Sequence, residues 1–166
     1  MKQILYERLI CYILENQERF YRMAFSYTRH QEDALDAVQS AVCKALESYE
    51  NIKNAEAIKT WFYRILMNEC FTVLKKRNKV VLAAGTMEQE EVYYEKEFDQ
   101  SDDIEQELEK LEVDVQEIIK LRFFEEMSLK EISVITGLNL NTVKTKLYRG
   151  LKVLKENIKE AQLWAD

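Results

Sequence analysis

Five basic side chains and no acidic one fall between Asn139 and Lys155 of this 166-residue chain. That composition suits phosphate, because each cation meeting a nucleic-acid phosphate releases condensed counterions. Arg149 adds a further capacity: its planar fork matches the O6 and N7 acceptors of guanine, a pairing that tells one base from another. Asn141, Thr142 and Thr145 put short polar groups near the start of the same stretch, and Tyr148 stands beside Arg149. Val143, Leu147, Leu151, Leu154 and Ile158 recur at helical spacing, so these groups ride on a helix with an apolar spine.

A helix of this kind has to be held at a fixed angle, and the preceding residues supply the means. Ser128 followed by Glu131 is a capping box that starts a helix at a defined residue. Leu129, Ile132 and Ile135 share one face of it, and Gly137 falls where a tight turn needs a residue tolerant of positive φ. Ser128 to Lys155 therefore reads as a helix-turn-helix, whose second helix enters a major groove. A solvated lysine face on an ordinary hairpin would explain the charge alone. It leaves the capping box, turn glycine and apolar spine as a coincidence.

With no proline and three glycines, strands joined by tight turns are not expected; 47% hydrophobic content is ample for helical cores. The predicted fold class is all-α. No apolar run approaches the roughly 20 residues of a membrane span, and the charged N-terminal segment lacks a signal-peptide pattern. A cytoplasmic protein is expected. Cys11, Cys43 and Cys70 are widely spaced and accompany a single histidine, His30, so no metal site or cofactor is expected. Each cysteine sits in apolar helical context and reads as a small buried hydrophobe.

The net charge of −6 is unevenly spread: residues 1–85 carry +3, residues 86–114 carry −11, and residues 115–166 carry +2. Distribution matters more than the total for a nucleic-acid partner. Residues 3–76 show helical periodicity through Leu5, Leu9, Ile13, Phe20, Met23, Ala24 and Tyr27, and again from Ala34 to Leu46. Glu50 to Ala57 reads as a loop. A strong helix from about Lys59 to Lys76 carries Trp61, Phe62, Ile65, Leu66, Cys70 and Leu74, and ends among Lys75, Lys76, Arg77 and Lys79. Residues 80–103 have no sustained period and many carboxylates, as a flexible acidic linker would. Helical pattern resumes near Ile104. The expected domains are 1–79, the linker 80–103, and 104–166.

These stretches, in this order, resemble bacterial sigma-70-family RNA polymerase sigma factors of the extracytoplasmic-function group. DALDAVQ (Asp33 to Gln39) is similar to the family's D-A-E-D-L-V-Q, and WFYRILMN (Trp61 to Asn68) to W-L-Y-R-I-A-x-N. LRFFEEMSLKEISVITGLNLNTVKTKLYRGLKVLK resembles L-x-x-x-x-G-x-S-Y-x-E-I-A-E-x-L-G-x-x-x-G-T-V-K-S-R-L-x-R-A-x-x-x-L. Departures include Ala37 for Leu, Ser40 for Glu, Ser133 for Ala and Asn141 for Gly, and Met127 is taken to stand where glycine is common.

The resemblance implies a promoter-specificity subunit without catalysis of its own. Its partners would be the β′ clamp coiled coil and β flap of core polymerase, promoter DNA, and an anti-sigma factor. Asp33, Asp36, Val38, Gln39 and Val42 would dock on polymerase. Tyr49, Asn54 and Asn68 would hold melted −10 DNA, with Lys53, Lys59 and Arg64 on its phosphates and Lys75, Lys76 and Arg77 on duplex backbone. Trp61, in phase with Ile65, reads as core. Asn141, Thr142, Lys144, Thr145, Tyr148 and Arg149 would meet the −35 element, with Lys146 and Lys152 on its phosphates. The acidic linker would suit the RNA exit path of polymerase, or serve as a self-repelling spacer.

A stand-alone helix-turn-helix regulator, such as a phage-type activator, is the alternative; it has no use for the WFYRILMN helix. An all-helical sequestering protein leaves the basic helix unexplained.

Overall fold

The computed structural model describes the backbone of residues 2–84 and 101–164, with side chains over 2–79 and 104–159. Eight α-helices account for most of it: α1 (Lys2–Glu15), α2 (Gln17–Thr28), α3 (Gln31–Glu47), α4 (Ile58–Ala84), α5 (Ser101–Glu109), α6 (Val113–Phe123), α7 (Leu129–Thr136) and α8 (Leu140–Trp164). Two 3₁₀ turns, Tyr49–Asn51 and Ala55–Ala57, fill the segment read as a loop. The chain divides into two compact units, residues 1–93 and 94–166.

In the first unit α3 and α4 pack on each other and on α2, with α1 across them. Each helix contributes the stripe that its periodicity marks. Leu9 and Ile13 of α1, Phe20, Met23 and Ala24 of α2, and Phe62, Leu66 and Cys70 of α4 are buried. Phe20 and Phe62 meet with ring centroids 4.4 Å apart, and Tyr63 closes edge-on against Phe20 at 5.6 Å. Burying one such side chain stabilises by roughly 1.5–3 kcal/mol. The inner face of α3 is built from Ala34, Ala37, Ala41 and Ala45 alone, all fully buried. Trp61, Ile65 and Leu74 are only half-buried, while Tyr63 and Met67 join the core.

The connection from α2 to α3 is local chemistry. Arg29 ends α2 in the left-handed region at φ 54°, its N–H bonding the Phe25 carbonyl. His30 then caps α3, its Nδ1 accepting the Asp33 N–H at 3.5 Å.

In the second unit α6, α7 and α8 pack together and α5 lies against α8. The capping box of α7 is formed in both directions: Glu131 N–H donates to Ser128 Oγ, and Ser128 N–H to Glu131 Oε1, each at 3.1 Å. Gly137 ends α7 at φ 74°, as the turn requires. The crossing of α6 and α8 is close at Gly150, where an added Cβ would stand 2.5 Å from Val115 Cγ1.

Four expectations need correction. Cys70 is buried, but Cys11 and Cys43 are exposed, on the faces of α1 and α3 opposite those helices' buried stripes. Helix α4 continues to Ala84, past the expected end near Lys76 and into the residues read as linker. Helix α5 begins at Ser101, so that range is helical at both margins, and residues 85–100 lie outside the described residues. Lastly, the glycine of the family pattern, counted from Leu121, falls on Glu126 and not on Met127. Glu126 has φ 52°, the left-handed region glycine favours, while Met127 is buried and its N–H bonds the Leu121 carbonyl at 3.1 Å.

Candidate nucleic-acid interface

Helix α8 separates its faces cleanly. Val143, Leu147, Gly150 and Leu154 are buried against the unit, and Asn141, Lys144, Thr145, Tyr148, Arg149 and Lys152 are exposed along the opposite side. The exposed residues recur every three or four positions, which is one continuous helical face. Tyr148 is 66% exposed although aromatic, so this part of the face is not part of the fold's own packing. Thr142 sits at the margin. Thr145 spends its hydroxyl proton on the Asn141 carbonyl at 2.9 Å, leaving the oxygen's acceptor side outward.

Lys146 behaves differently from the other cations. Its Nζ is bonded to Asp114 Oδ2 on α6, and its side chain is 30% exposed. The Lys146 ammonium holds the Asp114 carboxyl below its usual range, against the smaller opposing effect of burial. One turn further along α6, burial and the Asp114 charge push the Glu117 carboxyl up to about 7.

In the first unit the expected −10 residues form two groups. On α4, Arg64, Asn68 and Lys75 are exposed and share a side, and Lys76 is exposed beside it. On the 3₁₀ segment, Tyr49 is half-buried with its ring edge-on to Tyr6 of α1 at 4.9 Å, while Glu50 pairs with Lys2 at 3.6 Å. Asn54 accepts the Ala57 N–H at 3.0 Å, so its carbonyl oxygen caps a turn, and the residue is exposed. Lys53 is exposed and Lys59 half-buried. Arg77 does not stand out with its lysine neighbours. Its Nη1 donates to the Thr28 carbonyl at 2.8 Å and lies 3.7 Å from Asp33, spanning α4, α2 and α3. That engagement ties Arg77 to α2 and α3, though its side chain stays 38% exposed.

Three of the expected polymerase residues, Val38, Gln39 and Val42, border an open groove of about 960 Å³ between α2 and α3, with Leu35 beside them and Tyr21 and Arg22 on the other side. Asp36 is exposed on α3, whereas Asp33 is the residue paired with Arg77.

Against the known families, residues 12–80 match Sigma-70 region 2 and residues 101–154 match Sigma-70, region 4. RNA polymerase sigma factor SigV of Bacillus subtilis is 39% identical over 98% of each chain. The chain belongs to the sigma-70 family of RNA polymerase sigma factors. A second Bacillus subtilis relative, RNA polymerase sigma factor YlaC, is 32% identical over 83% of this sigma factor and 84% of its own length. Among solved structures, sigma factor RpoE of Bartonella quintana, in complex with the anti-sigma factor NepR, has a TM-score of 0.75 at 23% identity, covering 89% of this chain and 94% of that one. CnrH, in complex with the cytosolic domain of CnrY, has a TM-score of 0.70 at 17% identity, covering 96% and 97%. These two likenesses bear on the fold, which is all-helical over the described residues as expected.

This sigma factor directs promoter-specific initiation by RNA polymerase, and the stand-alone regulator is not favoured. Its relatives are sigma factors, which are not enzymes. Among the described residues no helix is long and apolar enough to cross a membrane.

Three partners escaped the sequence reading. Asp114 for Lys146, and Glu69 for Lys44 between α3 and α4, are separated from them by 32 and 25 residues, so no local pattern marks them. Tyr6 was legible: it lies at i−3 to Leu9 and i−7 to Ile13, on the buried stripe of α1.

Proposed function

We propose that this sigma factor is a two-part promoter reader. Residues 1–79 bind core polymerase and the −10 element, residues 80–103 connect, and residues 104–166 read the −35 element as duplex. The observation that carries this reading is the exposed face of α8, with cations, amide and hydroxyl opposite a spine in which Val143, Leu147 and Leu154 are buried and Leu151 and Ile158 half-buried. Lys144, Arg149 and Lys152 supply phosphate and guanine chemistry there. Arg64, Asn68, Lys75 and Lys76 offer a second polar face, and Tyr49, Lys53 and Asn54 sit at its loop end, suited to a melted strand.

The groove between α2 and α3, with Val38, Gln39 and Val42 on its wall and Asp36 exposed on the same helix, is the docking surface for the polymerase clamp. An anti-sigma factor belongs to the reading as well, since RpoE was solved in complex with the anti-sigma factor NepR. The protein acts in the cytoplasm, carries no catalytic activity of its own and needs no cofactor. Run-off transcription with core polymerase on a randomised promoter library tests the whole. Enrichment of two spaced elements is expected; failure to assemble holoenzyme would overturn it.

A further inference from the structure

Both oxygens of the Asp114 carboxylate are committed. Oδ1 accepts the Val115 N–H at 2.8 Å, at the start of α6, and Oδ2 takes the Lys146 ammonium of α8. The carboxylate therefore sits at the positive end of one helix while holding a cation of another, which suits its charged form twice over. Lys144, Arg149 and Lys152 on the same stretch of α8 are exposed, whereas Lys146 is not. A phosphate approaching Lys146 meets an ammonium already bound to an anion of the protein.

Phosphate contacts fix a protein on DNA without reading sequence, while base-edge contacts discriminate. A cation withheld from phosphate lowers the first without touching the second. We propose that Asp114 sets the sequence-independent affinity of the promoter reader: by occupying Lys146 it keeps one cation of α8 off the DNA backbone. Discrimination between sequences stays with the Arg149 side of the helix. This rests on the reading of α8 as the −35 duplex helix.

The test uses holoenzyme assembled from core polymerase and full-length chain. Binding is measured to a duplex carrying the −35 element found in the library selection, and to one with that element scrambled, over a range of salt concentrations. Asp114→Asn keeps the size and the acceptor for Val115 but releases Lys146. It is expected to bind both duplexes more tightly by a similar factor, to leave the ratio between them unchanged, and to steepen the salt dependence by about 0.9 in log–log slope, one phosphate's worth. Adding Lys146→Met to Asp114→Asn is expected to reverse the steepening.

An unchanged or shallower slope in Asp114→Asn overturns the proposal. Should that variant fold poorly, Lys146→Met in the parent chain decides independently. It must lose less than half the slope that Lys152→Met loses, and an equal loss means Lys146 already meets phosphate. Arg149→Ala separates the two levels of the argument. If it abolishes the preference for the cognate element while Asp114→Asn changes nothing, only the role of Asp114 falls. If Arg149→Ala keeps the full preference, the reading of α8 falls with it.

Discussion

Gly150 of α8 and Val115 of α6 meet so closely that a single added carbon at Gly150 would overlap the valine, at 2.5 Å from Cγ1. Ile119 Cδ1 closes the same space at 2.9 Å. The crossing of α6 and α8, beneath the exposed polar face of α8, is thus set by the absence of a side chain. Gly150→Val should cost about 1–3 kcal/mol through overpacking, net of its better helix propensity. Thermal unfolding of the full chain reads this directly, and pairing it with Val115→Ala should recover most of the loss.

Glu126 has the opposite problem, since a side chain occupies a backbone position that favours none. Left-handed φ costs a non-glycine residue about 1–2 kcal/mol, and glycine returns part of that gain through the entropy of the unfolded chain. Glu126→Gly should therefore stabilise the protein by roughly 0.5–1 kcal/mol in urea unfolding. Glu126→Ala, which keeps the strain, should change little.

The raised carboxyl of Glu117 has a pH consequence whose sign can be worked out. In the unfolded chain it titrates near 4.5; in the fold burial and the Asp114 charge raise it to about 7. Between those values the folded state holds the extra proton, so stability falls as pH rises from about 4.5 to 7 and levels off above. The full effect is on the order of 3 kcal/mol. Glu117→Gln should flatten the melting temperature across that window, and a parallel decline in parent and variant would refute the assignment. Asp114 acts in the other direction and at lower pH: its lowered carboxyl contributes above its unfolded value of 3.8 and is lost in acid.

Arg149 is exposed in the middle of the face formed by Asn141, Lys144, Thr145, Tyr148 and Lys152. Replacing it with alanine should remove about 1–3 kcal/mol of base discrimination. Transcription from promoters that depend on the −35 element should drop 5- to 150-fold on that scale, with holoenzyme assembly intact. Equal transcription from cognate and scrambled elements by the parent chain would remove Arg149 from the site.

What the sequence discloses follows the range of the interactions. The α7 cap and the Gly137 turn depend on residues three to nine apart, and they read directly. The two faces of α8 depend on a period of 3.6 and read as well. Cys11 and Cys43 were misjudged although the period was sufficient. Each stands two residues from a buried neighbour on either side, Leu9 and Ile13 or Ala41 and Ala45, and two residues is half a turn. An apolar neighbourhood in sequence says nothing about face. The Lys146–Asp114 and Arg77–Thr28 links are a different matter. They join residues 32 and 49 apart, and only the packed helices bring them together.

The four alanines of α3 divide that helix into a side that cannot change and a side that can. Any enlargement of Ala34, Ala37, Ala41 or Ala45 pushes α2 and α4 apart, so drift on that face is closed. Leu35, Val38, Gln39 and Val42 line the outer groove, where Leu35 and Gln39 are exposed and Val38 and Val42 half-buried. Substitutions at the exposed Leu35 and Gln39 should cost the fold little and act on what the groove accepts. The scaffold of α3 therefore leaves one strip open to variation, and there the limit on change is set by what binds and not by the fold.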